Sequence, residues 1–297
     1  MFAACLATLL FALSSVSAKR SVNLVGSATA NLARMTLATL VLGLLAHSLG
    51  IGLRGPSFGW FVVSGIIGYG ICDTAIFLAL PRLGAQLTSL MVQCLAAPVA
   101  ALTEWLWLGT RLGPGQLAAG AAILAGVAVA LSPGRGRSAT ASAGWFGLTL
   151  GVIAAVGQAW GAVLSRHGQI LAREAGQPID GLSVAYQRIL AGLVFTVIWW
   201  LASRGTGRAA APEGGIPWRR ASPWIFVNAL SGPSLGVAAY QWALQLQPTG
   251  IVMAITALTP LAVIPLAWWI DGEHPSRRSV AGGCLAVAAA VWLALHR

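Results

Sequence analysis

Stretches of about twenty apolar residues recur along this 297-residue chain, and charged residues stand mainly at their ends. A bilayer core of roughly 30 Å asks for helices of about that length, so the recurrence leaves little room for a water-soluble core. Apolar residues make up 57% of the sequence and charged residues 8%, against about 25% charged in soluble domains. The chain therefore reads as an all-α membrane protein that crosses the bilayer many times. The spans fall at residues 2–18, 30–52, 58–80, 84–108, 112–132, 144–165, 183–203, 222–246, 249–270 and 278–296, which gives ten transmembrane helices. Connections are short except at 166–182 and 204–221, so no soluble domain of useful size fits between them.

The net charge of +11 comes from seventeen arginines and Lys19. Nucleic acid would be the natural partner if these clustered on one face, but they stand singly or in pairs at span ends: Lys19/Arg20, Arg135/Arg137, Arg219/Arg220, Arg277/Arg278. That is where membrane proteins place orienting charges, and no nucleic-acid partner is expected. Cys5, Cys72, Cys94 and Cys284 lie inside apolar segments without the paired spacing of a zinc site or disulfide framework, and read as packing residues. Residues 1–20 imitate a signal peptide, with Val16-Ser17-Ala18 as a small-residue site, but lack a basic leading region. They read as the first membrane helix.

An internal repeat organises the rest. Pro98 is followed thirteen residues later by Arg111 and twenty-two later by Gly120, and Pro260 is followed at the same distances by Glu273 and Gly282. Earlier in each half, Arg34 in "LARMTLATLVLGLL" matches Arg188 in "YQRILAGLVFTVIWW", and Lys19 matches Arg166. Residues 133–143, "PGRGRSATASA", read as a linker between repeats at 1–132 and 144–297. Five helices per repeat is an odd number, so the second copy enters the membrane in the opposite sense. Inverted repeats belong to secondary transporters, whose substrate site lies near the midplane between the copies.

The stretches "LGAQLTSLMVQCLAAPVAALTEWLWLGTRLGPGQLAAGAAILAGVAVAL" and "PTGIVMAITALTPLAVIPLAWWIDGEHPSRRSVAGGCLAVAAAVWLAL" resemble the two EamA repeats of the drug/metabolite transporter (DMT) superfamily. In the second, Pro260, Gly272-Glu273 and Gly282 stand where that family has a mid-helix proline, a Gly-Glu turn and a packing glycine; the first departs at the turn, with Thr110-Arg111. The resemblance implies a transporter of a small metabolite in a bacterial cytoplasmic (inner) membrane, working by alternating access, with amino acids or related metabolites as exported cargo. Protons are a candidate second partner, a homodimer a candidate assembly, and no cofactor or metal is expected. No Walker lysine motif, HExxH pair or GxSxG elbow is expected in this sequence, and so no enzyme chemistry either. The rivals are an uncoupled facilitator or channel, and an intramembrane enzyme pairing Asp73 with Glu104. Eleven Lys/Arg follow the odd-numbered helices and five follow the even-numbered ones or the C-terminus, Arg34 and Arg188 excepted. Positive-inside reasoning then puts both termini outside, whereas the resemblance implies both inside.

Ionisable groups in hydrocarbon cost about 2.5 to 3.5 kcal/mol at a helix centre and usually face a cavity or a partner. Asp73, within "GIIGYGICDTAIFLAL", is either a coupling or substrate-ammonium carboxylate or the structural partner of an arginine. Glu104, near a span end, could reach the headgroups. Arg34 and Arg188 match the arginine common at that place in the family, and could bind a substrate carboxylate or, the favoured reading, anchor to lipid phosphate. Gln93, Gln158, Tyr186, Tyr240 and Gln241, together with Asn228, are candidate cavity lining, and Trp160, between Gly157 and Gly161, is the preferred substrate contact. Pro98, Pro260, Pro265 and Pro233 interrupt helical hydrogen bonding and are candidate hinges. Gly120, Gly126 and Gly282-Gly283 suggest close helix contacts.

One cluster invites a chemical reading. Asp271, Glu273 and His274 lie together in "AWWIDGEHPS", but at the turn between the last two spans, where water solvates them and Glu273 can help cap the following helix. The first copy carries Arg111 at the equivalent place, which could not ligate a cation. Trp268 and Trp269 then read as interfacial belt residues. Glu273→Gln is therefore expected to alter stability by about 1 kcal/mol or less and to leave substrate affinity unchanged, and a large rise in apparent KM at normal protein level would show the turn to be a site.

Overall fold

A computed structural model describes residues 2–108, 113–131, 139–205, 217–246, 252, 255–272 and 275–295, and all regular structure among them is helical. Helix α1 is Phe2–Val25 and α2 is Ser27–Leu49, separated only by Gly26 at φ 80°, a left-handed conformation that glycine adopts without a Cβ penalty. One long helical stretch then divides at Gly84, φ 75°, into α3 (residues 58–83) and α4 (residues 85–108). Helix α5 is Pro114–Leu131. The helical run Ala139–Glu174 breaks at Gly144, φ 58°, so that α6 covers residues 145–174; α7 is Gly181–Gly205. Helix α8 covers residues 218–246, α9 is Thr259–Asp271 and α10 is Arg277–Leu295.

Among the described residues, five segments are long and apolar enough to cross a membrane: Phe2–Val25, Ser27–Leu49, Phe58–Ala100, Gly144–Glu174 and Gly181–Arg204; Leu117–Ala130 and Thr259–Ile270 are shorter apolar helices. The 43 residues of Phe58–Ala100 would extend about 65 Å as one rod, some twice a bilayer core. The turn at Gly84 makes that length usable as two passes.

Two helices carry a local defect. α3 passes through a π-helical stretch at Ile66–Ile71, and α8 through another at Leu230–Ser234 that includes Pro233. Each widens one turn in the middle of its helix, a feature found often at functional sites.

Packing pairs the two halves of the chain. α1 lies on α8 and α9, as α6 lies on α3 and α4; α2 meets α7 and α5 meets α10; α2 touches α8 as α7 touches α3. Exchanging the first five helices for the second five reproduces these pairs. The α5–α10 contact is backbone against backbone. A Cβ on Gly126 would stand 2.6 Å from the Ala286 nitrogen, and one on Gly282 would overlap the Gly126 carbonyl oxygen. Gly120 and Gly283 meet nothing closer than 3.9 Å, so of the expected small-residue contacts only Gly126 and Gly282 form the seam.

Several sequence expectations shift. The first span runs on to Val25, so Lys19 and Arg20 lie within α1; Arg20 donates to the Ile270 carbonyl and stacks on Trp224. Buried Ala3, Ala4, Ala7, Ala12 and Val16 pack α1 into the bundle. α6 continues to Glu174, well beyond the expected end at 165, because its first stop signal is Gly176, φ 70°; the Gln177 amide donates to the Ala172 carbonyl there, closing the helix in a Schellman arrangement. In the expected linker, residues 139–143 are helical and 133–138 lie outside the described residues. Pro260 does not interrupt a helix but begins α9, in its first turn, where a missing N–H costs nothing. Pro98 and Pro265 do lie inside helices. Cys72 and Cys94 are buried as packing residues, while Cys5 and Cys284 face outward. Gly272 ends α9 at φ 66°, as the turn reading requires, but Arg111, Glu273 and His274 lie outside the described residues.

Gly126→Val would push two backbones apart and is expected to cost about 1 to 3 kcal/mol, whereas Gly120→Ala should be tolerated. Thermal melts of both variants in detergent check this, and equal stability would mean the seam is not in backbone contact.

Candidate functional site

The site begins with three charges inside the helix bundle. Arg34 stands about two turns into α2, Arg188 about two turns into α7, and Asp73 on α3 just past its π-helical stretch. Arg34 is 6% exposed and Arg188 8%. Lipid anchoring, the favoured expectation for both arginines, is thereby overturned: neither guanidinium reaches the bilayer surface, because each lies on the face of its helix that packs inward.

Arg34 is heavily satisfied. Its Nη2 donates to Asp73 Oδ2, forming an ion pair whose side chains are 7% and 13% exposed. Its Nε donates to Asn31 Oδ1 at 3.2 Å, one turn back on the same face, and Nη1 reaches Asn228 Oδ1 of α8 at 3.4 Å. The Phe77 ring lies under the guanidinium, 4.6 Å from centroid to Cζ. Asp73 is thus a partner for an arginine, the second of its two expected roles. Arg188 differs. It lies over the Tyr69 ring at 5.2 Å, its Nε is buried, and no group among the described residues accepts a hydrogen bond from it.

These groups border a central cavity of about 120 Å³. Ser14 and Ser15 of α1, Gln93 of α4, Gln158 of α6 and Tyr240 of α8 complete much of its polar lining. Both π-helical stretches open onto it, through Gly68 and Tyr69 on one side and Gly232 and Pro233 on the other; the Tyr69 hydroxyl donates to the Pro233 carbonyl at 3.4 Å. The arginine tips pass close to these glycines: a Cβ on Gly68 would sit 2.9 Å from Arg188 Nη2, whereas one on Gly232 would lie in ordinary contact with Arg34 Nη1 at 3.5 Å and would collide with Ser14 Oγ.

Of the candidates read from sequence, Asp73, Arg34, Arg188, Gln93, Gln158, Tyr240 and Pro233 come together here. Trp160 does not. Gln158 and Ala162, one turn apart, face the cavity, which puts Trp160 on the opposite side of α6; it is 46% exposed and its Nε1 donates to Thr103 Oγ1 at 3.0 Å. Tyr186 packs against Gly43 and edge-on to His47 in the α2–α7 contact. Gln241 accepts from Gln169 Nε2 at 2.5 Å and donates to Ser165 Oγ at 3.4 Å, bracing α8 to α6 away from the cavity. The Glu104 side chain lies outside the described residues. Sequence reading missed Tyr69 and the serines of α1; the signal for Tyr69 was its place between two glycines, one turn before Asp73.

The expectation that the sequence has no GxSxG pattern is corrected in α8. Residues 232–236, "GPSLG", match a G-x-S-x-G pattern, which in a hydrolase marks a strand-to-helix elbow. Here it lies within α8, and the buried Ser234 hydroxyl has no hydrogen-bond partner among the described residues, hence no activating base. No group of three or more His, Cys, Asp or Glu suited to a metal occurs among the described residues.

The sequence pattern of the EamA-like transporter family matches residues 1–132 and 145–295. No curated protein matches the chain. A solved crystal structure, titled only as that of a protein, is similar with a TM-score of 0.64 at 20% identity, over 99% of this chain and 96% of that one, a likeness in fold.

Arg188 borders the same cavity as Asp73, so the two ways of breaking the ion pair are not equivalent. Asp73→Asn leaves two buried guanidiniums without an anion and is expected to cost about 3 to 5 kcal/mol; Arg34→Gln leaves Asp73 a second arginine and should cost less. Thermal stability of the two variants measures the order, and the reverse order would mean Arg188 does not compensate.

Proposed function

The chain belongs to the EamA-like transporter family, and on that footing we propose that it is a secondary transporter that carries a small metabolite by alternating access. Family membership and the apolar helices make it an integral membrane protein and a transporter of small molecules. The finer reading rests on one observation: a polar, charged cavity deep in an apolar bundle, walled by helices of both halves. Groups of that kind are expensive in hydrocarbon and are retained where they meet a solute or its coupling ion.

Ten spans in two inverted five-helix repeats, 1–132 and 144–297, are the architecture we infer. The packing pairs that survive exchange of the halves support it, and an odd helix count per repeat makes the copies antiparallel in the membrane. The two π-helical stretches, each in the third helix of its repeat, then face one another across the pseudo-symmetry axis. Rocking of one repeat against the other would open the cavity to each side in turn. The wider helical turns and Pro98, Pro233 and Pro265 are the places where helices can bend. A bacterial cytoplasmic membrane is the setting the family suggests, and amino acids and related metabolites are the first cargo to try.

Asp73 is the coupling group in this reading, exchanging Arg34 for a proton during the cycle. In proteoliposomes the wild-type protein is expected to accumulate cargo against its gradient when a proton gradient is imposed. Asp73→Asn should lose that uphill flux while keeping cargo exchange. Wild-type accumulation by the variant, with unchanged pH dependence, would leave Asp73 a structural residue, and non-saturable flux without counterflow would replace the transporter by a channel.

A further inference from the structure

We propose that Arg188 binds a carboxylate of the transported molecule, and that this molecule is a small organic monoanion. The proposal rests on the transporter reading only for the word transported; the binding site stands on the geometry. Arg34 and Arg188 hold matched places in the two halves, yet Asp73 pairs with Arg34 alone. Arg188 is 8% exposed, borders the cavity, and has no hydrogen-bond acceptor among the described residues. An arginine keeps its charge in any such setting, so a buried guanidinium without an acceptor is incomplete until an anion arrives. Gly68 and Gly161 hold room beside it: a Cβ on either would come within 2.9 to 3.4 Å of Nη2. Tyr69 supports one face of the planar group and leaves its donor edges for a ligand.

Charge selects the ligand class. Two arginines and one aspartate leave the described lining with one net positive charge, which a monoanion neutralises. Inorganic phosphate as a dianion would leave an excess negative charge in a low-dielectric cavity. A zwitterion brings an ammonium whose natural partner, Asp73, is already held by Arg34. Size agrees, since a cavity of about 120 Å³ admits a compact acid and not a nucleotide or a lipid. Gln93 and Gln158 offer amides to its polar substituents.

The test uses the purified full chain in detergent, with binding read from thermal stabilisation and from tryptophan fluorescence. The probes are acetate, lactate, alanine, succinate and inorganic phosphate. Lactate or acetate is expected to bind more tightly than alanine, succinate or phosphate. Arg188→Gln should weaken lactate binding about tenfold to a hundredfold, the span of a hydrogen-bonded charge. Arg188→Lys, which keeps the charge and guards against a misfolded glutamine variant, should weaken it less. Asp73→Asn, which raises the net charge of the cavity, should tighten it. The proposal is overturned if neither monocarboxylate binds the wild-type protein, if both Arg188 variants keep wild-type affinity, or if alanine, succinate or phosphate binds best. Vesicle flux separates this outcome from the wider reading. A protein that binds lactate through Arg188 but carries nothing keeps the site and loses the transporter, and one that concentrates cargo indifferently to Arg188 does the opposite.

Discussion

A guanidinium in hydrocarbon has to bring its solvation with it, and the centre of this bundle is arranged around that requirement. Arg34 collects its partners from three helices: Asn31 on its own α2, Asp73 on α3 and Asn228 on α8. Water can offer nothing comparable at that depth, so those helices are fixed relative to one another by the needs of one side chain. Phe77 closes the remaining face. Because a carboxylate left alone there would cost several kcal/mol, α3 has little freedom to rotate without α2 following. Seen this way the ion pair sets register first, and chemistry is built on that register.

The two halves are copies that have parted company at their most polar point. Each arginine reaches past a glycine of the other half's π-helical stretch, Arg188 past Gly68 and Arg34 past Gly232, so the crossing itself is preserved. Only the first half supplies the acid. A symmetric bundle would present two identical ion pairs and a neutral interior; the missing second carboxylate leaves one positive charge facing the cavity.

The outline of the fold was legible because it depends on coarse properties: apolar run length, charge placement, and a repeated spacing of proline, turn and glycine. The site was legible where cost forces a meaning, as with Asp73, Arg34 and Arg188, which hydrocarbon does not tolerate idly. What each one touches was not legible. Lipid anchoring and binding of a substrate carboxylate both suit an arginine a few residues inside a span, and the burial of Arg34 and Arg188 speaks against the first. Trp160 misled for a simpler reason: its glycine neighbours advertise space, but two residues along a helix turn a side chain through about 200°, and the space belongs to Gln158. The π-helical stretches left no trace a propensity argument could find, except that both contain glycine. α1 and α6 run past Lys19 and Arg166, where charge predicts an end, and stop at Gly26 and Gly176 in left-handed conformations.

The seam between Gly126 and Gly282 bears on how such a chain is made. α5 is complete early in synthesis, yet the surface it presents, including Ala119, Ile123 and Val127, is shaped for residues of α10 such as Ala286 and Ala290, the last helix of the described chain. Until that helix emerges, a strip of bare backbone and small side chains has only lipid against it, and nothing holds the two halves together along that edge. Chain synthesised before α10 therefore leaves this edge of α5 open. A ribosome that stalls late, or a quality-control protease that samples the membrane during that interval, meets a different object from the finished one. That object already carries Arg34, Asp73 and Arg188, and lacks the helix that covers α5.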